Sequence, residues 1–297
     1  MKLLRYSAFC GLLVALSLLS GTSCAHKGGH LPMAGPVLVE EKQTPSDGTV
    51  HDSGRQAGLA PALSGHSAKV TGLEIPAPLK NTPERILRRT GFVESYNSAT
   101  RIPSWVAWHL TAAHTDGPVQ RKDYDYMDDG SVPDPKEYSE DYRHSGWTHG
   151  HMCPAGDNKW SAKAMADCFL VTNMCPQAAG LNSGLWNTIE KRCREWAQKY
   201  GDVYIVCGPV LLRGQHQTIG RNRVVVPEAF FKVVLCMRGT PKAIGFICRN
   251  QSAKGRKPVE FVNTVDEVER ITGIDFFPAL PDRIEKEVES HCDLNNW

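Results

Sequence analysis

The sequence is short of several things, and each shortage narrows the reading. No run of apolar residues is long enough to cross a bilayer comfortably; the one sustained stretch, Phe9 to Leu19, falls well short of a span. Charge of either sign is nearly balanced, with a net +2 over 297 residues. That balance is no polyanion signature, so a nucleic-acid partner would need its cations concentrated locally. No internal repeat divides the chain, and its histidines and cysteines follow no tidy zinc spacing. From His26 to Pro78 there are almost no aromatics and no sustained periodicity. With 41% apolar and 22% charged residues overall, however, the chain is not disordered throughout and can bury a core.

What is present at the start is a leader pattern: Lys2 and Arg5, the apolar run, then small residues from Ser20 to Cys24. The expectation is a signal peptide over 1–24 and an exported protein: periplasmic, extracellular or lipid-anchored to a bacterial envelope. Cleavage before Cys24 would leave a lipoprotein whose only membrane contact is a lipid on Cys24; cleavage after Ala25 would release a secreted chain. Residues 25–78, rich in Gly, Pro, Ser, Ala and His, read as a flexible linker. The compact domain is expected over 79–297. Apart from Cys10 and Cys24, eight cysteines remain, an even set that permits disulfides in an exported chain; several lie in apolar strand-like runs where free buried thiols fit equally well.

Within the domain, Gly91–Asn97 and Trp105–Thr111 read as neighbouring strands, as do Val203–Val210, Arg223–Val226, Phe230–Met237 and Ala243–Cys248. Between the two strand groups, Ser161–Cys168 predicts a short helix. Asn182–Tyr200 predicts a longer one, with Leu185, Ile189, Cys193, Trp196 and Tyr200 at helical spacing and Gly201 as its stop. Thr264 and Glu267 form a capping-box pattern ahead of another short helix. The class is α+β, with a mixed or antiparallel sheet core and flanking helices.

Reactive side chains concentrate in one stretch. Thr148-His149-Gly150-His151-Met152-Cys153-Pro154 is followed by Asn173-Met174-Cys175-Pro176-Gln177, then by Asn182, Trp186 and Glu190. Phosphodiester hydrolysis needs a base to deprotonate water, a cation to neutralise the transition state and donors for the phosphate oxygens. On a continuous helix Asn182 shares a stripe with Ile189 and Cys193, while Glu190 and Arg194 lie one turn apart at its edge. One amide oxygen with an outer carboxylate suits a hard cation such as Mg²⁺. Plainer readings stand beside these: Asn182 as a helix N-cap, and Glu190 with Arg194 as a surface ion pair.

In order and spacing these residues resemble the DNA/RNA non-specific endonucleases of the ββα-metal superfamily, over about Gly91 to Val288. Gly150-His151, Asn173 with Pro176-Gln177, and Asn182 with Trp186 and Glu190 carry the resemblance. It implies a ββα-metal finger in which His151 activates water and Asn182 is the direct protein ligand of one Mg²⁺ or Mn²⁺. Glu190 would reach the metal through water, and Arg194 would contact substrate or stabilise the leaving group. Asn173 would orient the His151 loop and line the substrate site, and Arg121 resembles an upstream phosphate-contacting arginine. The substrates implied are DNA and RNA.

Two positions depart from that pattern: Thr148 stands for the family's Asp and His149 for its Arg. An imidazole loses its charge near neutral pH and is a poor substitute for a permanent guanidinium clamp. His149 is expected to act as a part-time cation, with activity favoured at acid pH or helped by Arg143. Two other classes follow if the departures matter more: a catalytically degenerate exported nucleic-acid-binding lipoprotein, or a Zn²⁺- or Cu-binding protein using His149, His151 and Cys153. His109 and His144 carry no expected role.

Overall fold

The computed structural model describes residues 72–212 and 214–297, and the leader, Cys24 and most of the expected linker lie outside them. The strands are β1 (Arg85–Arg88), β2 (Val93–Asn97), β3 (Ile102–Thr111), β4 (Thr148–His151), β5 (Met174–Gln177) and β6 (Asp202–Val210). They continue as β7 (Thr218–Ile219), β8 (Val224–Val225), β9 (Ala229–Cys236), β10 (Lys242–Arg249) and β11 (Val262–Asn263). The helices are α1 (Ala162–Cys168), α2 (Asn187–Tyr200), α3 (Val265–Thr272) and α4 (Asp282–Glu289).

Seven strands form one antiparallel sheet in the order β1-β2-β3-β6-β9-β10-β11. Its centre is buried on both faces, which is why β9 reads as an almost unbroken apolar run rather than an alternating one. Phe230, Val234 and Cys236 face a core shared with Ile189, Cys193 and Trp196 of α2. The intervening Phe231, Val233 and Leu235 face Val265 and Val268 of α3 and Val288 of α4. Leu73, placed in the spacer by composition, packs into this second core.

The strands β4 and β5 pair antiparallel as a separate two-stranded unit, Thr148 opposite Gln177 and His151 opposite Met174. Gly150 is required there: a Cβ would sit 2.5 Å from the Gln177 side chain and 2.9 Å from the Cys175 carbonyl. The helix expected from Asn182 begins at Asn187 instead. Leu181–Trp186 form a wider π-type turn broken at Gly184, whose φ of −100° and ψ of −109° leave the helical region. Asn182 therefore does not share the α2 stripe, nor does it make a side-chain cap for that helix. The eight cysteines of the domain are free, seven of them buried, so the thiol reading holds. Among the described residues no helix is long and apolar enough to cross a membrane.

Candidate active site

Alternation along β4 decides what the site is made of. Side chains two apart share a face, so His149 and His151 point one way and Thr148 the other. Thr148 uses its hydroxyl twice: Oγ1 donates to the Gln177 carbonyl at 2.8 Å and accepts from Asn182 Nδ2 at 3.0 Å. Asn182 Nδ2 also donates to the His149 carbonyl at 3.3 Å. With its NH₂ group committed to two acceptors, the amide presents Oδ1 as its remaining ligand. Glu190 lies in the first turn of α2, and burial pushes its carboxyl up to about 7. Asn182 Oδ1 and the Glu190 carboxylate, on either side of the Gly184 break, are hard oxygens of the type a divalent cation keeping most of its waters would take.

His151 is 9% exposed, and its Nε2 has no hydrogen-bond partner among the described residues. Burial, and next the nearby Arg121, drop its pKa to about 3, so the imidazole is neutral in the free protein. Tyr126 at 5.7 Å and the edge-on Phe169 at 5.1 Å between ring centroids wall it in. Trp186 Nε1 donates to the His151 carbonyl at 3.4 Å, tying the end of β4 to the turn that carries Asn182.

His149 does not take the place of a cationic clamp. It is sandwiched between Tyr126 at 4.0 Å and Tyr142 at 3.8 Å, with Nε2 3.3 Å from Ser139 Oγ. Burial in this stack lowers its pKa to about 4 and leaves it uncharged at neutral pH. The permanent cation near the base is Arg121, whose guanidinium lies 5.4 Å from the Phe169 ring centre and donates to Tyr126 Oη at 3.3 Å. Arg143 is an exposed partner of Glu140.

Asn173 is fully buried, which removes it from any contact with substrate. Its side chain is spent on the backbone, accepting from Cys153 N and donating to the carbonyls of Cys153 and Cys168, each at 2.9 Å. These bonds tie the chain after β4 to the end of α1, and none of the side chain is exposed to line a substrate site.

Arg194 is held by Asp157, a residue the sequence did not single out. Nη1 of Arg194 donates to Asp157 Oδ1 at 2.9 Å, and Trp108 Nε1 donates to Oδ2 at 3.1 Å. Nothing local in Ala155-Gly156-Asp157 signals the role, because the partner is 37 residues away. Behind this pair lies Lys232, fully buried in β9 with its ammonium 4.5 Å from the Trp186 ring centre and 5.1 Å from that of Trp108. Tyr126 and Tyr142 were also missed, as aromatics set in an acidic loop.

The chain matches the DNA/RNA non-specific endonuclease family over residues 73–283. It is 37% identical over 262 residues to the mitochondrial nuclease EXOG of Homo sapiens, covering 81% of this chain and 70% of that protein. It is 32% identical over 205 residues to the mitochondrial endonuclease G of Homo sapiens, covering 65% and 69%. Across four vertebrate EXOG proteins the chain spans between 60% and 70% of their length. Among solved structures, an EndoG/EndoGI complex described as a mechanism of EndoG inhibition superposes with a TM-score of 0.65 at 29% identity, covering 67% of this chain and 87% of that one. The expectation of a bacterial, exported or envelope-anchored protein is overturned by these relatives, which are mitochondrial nucleases.

Proposed function

Because the chain belongs to the DNA/RNA non-specific endonuclease family, and so is a hydrolase of nucleic acids, we propose that it cleaves DNA and RNA through His151 as general base and one Mg²⁺ or Mn²⁺ on Asn182. The observation that carries this reading is a neutral, partnerless imidazole on the strand next to an amide whose NH₂ group is already tied down. A base must be unprotonated and a hard-cation ligand must offer oxygen, and both conditions are met without rearrangement.

His151 takes a proton from the attacking water. As the water oxygen bonds to phosphorus, the bond to the 3′ oxygen breaks and the 5′-phosphate remains on the product. When bound, the cation supplies charge neutralisation in that transition state. Asn182 would hold it through Oδ1, with Glu190 as an outer carboxylate. Arg194, fixed by Asp157, is set to donate to substrate or to the departing oxygen, and Arg121 to a phosphate oxygen beside His151. His149 serves as an uncharged wedge that fixes Tyr126 against the base. Asn173 acts only by orienting the loop after His151. The nuclease domain is assigned to 79–297 with its leading segment from Gly72. Contacts of this kind reach phosphates, which carry no base identity, so specificity is low and binding weakens with salt.

The test is cleavage of plasmid DNA and total RNA by the full chain in Mg²⁺ or Mn²⁺ and in chelator, beside His151→Ala and Asn182→Ala. Loss of turnover in chelator and in both variants is expected. Correctly folded wild-type protein that binds nucleic acid but never cleaves it would sink the reading.

A further inference from the structure

On the far side of the sheet from His151, α3 and α4 bring together three carboxylates. Asp266 and Glu269 are three apart in α3 and share a face, and Glu289 is the last residue of α4. One oxygen of each lies within 4.8 Å of those of the other two. The cations of these helices are committed elsewhere, Arg270 to Glu267 and Arg283 to Glu287. Among the described residues no salt bridge reaches any of the three. Asp275 and Glu285 stand close enough to add further negative charge.

Exposed acidic groups are commonplace, but Glu289 is not exposed. It is 6% accessible, and its Oε1 is buried with no hydrogen-bond partner among the described residues. It also occupies the C-terminal end of a helix, where the backbone carbonyls already disfavour an anion. Burial, then the neighbouring carboxylates, push its pKa up to about 9, and burial pushes Glu269 up to about 7. Glu269 Oε1 is anchored by Phe276 N at 2.7 Å, which fixes one wall of the group. Such an arrangement needs either a proton or a cation at its centre.

We propose that Asp266, Glu269 and Glu289 bind a calcium-class divalent cation that staples α3 to α4, separately from the cation at Asn182. Coordination favours Ca²⁺ over Mg²⁺: three carboxylates supply several oxygens from the protein, whereas Mg²⁺ sheds its waters reluctantly and is seldom held by protein ligands alone. Because the site rests on α3 and α4 alone, it stands or falls independently of the nuclease reading.

The experiment is calorimetric titration with Ca²⁺ and thermal melting of the full chain in chelator-stripped buffer. It uses an Asn182→Ala background so that the catalytic cation site is removed. Binding of one Ca²⁺ and a melting point several degrees higher at saturation are expected. Adding Asp266→Asn and Glu289→Gln should weaken Ca²⁺ by about tenfold or more and abolish the shift. The same two changes in the wild-type chain should leave plasmid cleavage unaltered. If the double variant does not fold, the exposed Asp266→Asn alone gives the same comparison. No Ca²⁺-dependent shift in the Asn182→Ala protein, or an undiminished one after the acidic substitutions, would overturn the proposal and leave a protonated Glu289 as the answer.

Discussion

The two faces of the central sheet are both buried, yet they are built to different rules. The face toward α3 and α4 is almost purely apolar, lined by Phe231, Val233, Leu235, Phe276 and Phe277. The face toward α2 and the β4–β5 pair buries Asp157, Asn173, Gln177 and Lys232 among its apolar residues. Burying polar groups is costly unless each finds a partner, and here most do. Among the exceptions, His151 Nε2 and both polar atoms of Gln177 belong to the β4–β5 pair itself. The lesson is that the apolar face holds the sheet together, while the polar face converts the same rigidity into fixed positions for a base, a ligand and an arginine.

That contrast can be broken or sharpened by paired substitutions. The largest effect is expected at Asp157. Asp157→Ala leaves Arg194 without its buried partner and should cost about 3–5 kcal/mol of stability. Cleavage per folded molecule should fall by about 10²-fold, as an arginine set to donate to the transition state is freed. Its counterpart on the other face, Leu235→Ala, should cost a comparable 2–5 kcal/mol, about the usual range for a core cavity, but leave cleavage per folded molecule unchanged. Denaturant melts with activity normalised to folded protein separate the two, and equal activity losses would erase the distinction between the faces.

A smaller effect is expected at Thr148, whose hydroxyl holds the Asn182 amide. Thr148→Val should raise the Mg²⁺ concentration needed for half-maximal cleavage by about tenfold, the usual cost of removing one hydrogen bond to a ligand's support. Thr148→Ser should restore it. A Val variant with unchanged Mg²⁺ dependence would make Thr148 a packing residue only. The smallest effect is a null one with a sign. Since burial lowers His149 to about 4, it carries no charge from pH 5.5 upward and cannot gain one on the way down to that value. The activity profiles of wild type and His149→Asn should therefore have the same shape from pH 5.5 to 8.5. An acid-favoured limb near pH 6.5 that the substitution removes would restore the cationic role expected from sequence.

Much of this was legible beforehand, and the illegible parts have physical causes. The central strands stand out because burial on both faces makes them continuously apolar, and α3 because Thr264 caps it, accepting from Glu267 N at 3.2 Å. By contrast β1 is a mostly exposed Arg-Ile-Leu-Arg edge with no pattern to read, and α4 carries only Ile284 and Val288 as apolar anchors. The β4–β5 pair hides behind Gly150 and Pro176, residues that argue against a strand until their partner is known. His151, Asn182 and Glu190 could be singled out because they sit in the motif, Gly-His then Asn with Trp and Glu, by which the chain resembles its family. The Asp157–Arg194 pair and the tyrosine sandwich around His149 were not, since each is assembled by tertiary packing. The helix start was misplaced by five residues because helical spacing continues through Gly184 in sequence while the backbone does not.

The most direct measurement is the cleavage rate of plasmid DNA by the full chain in Mg²⁺, compared with His151→Ala and Asn182→Ala proteins that melt at the wild-type temperature. The account predicts that each substitution lowers the rate by about 10³-fold or more and that chelator abolishes what the wild type does. A His151→Ala protein that keeps its fold and cleaves within a few-fold of wild type would contradict it.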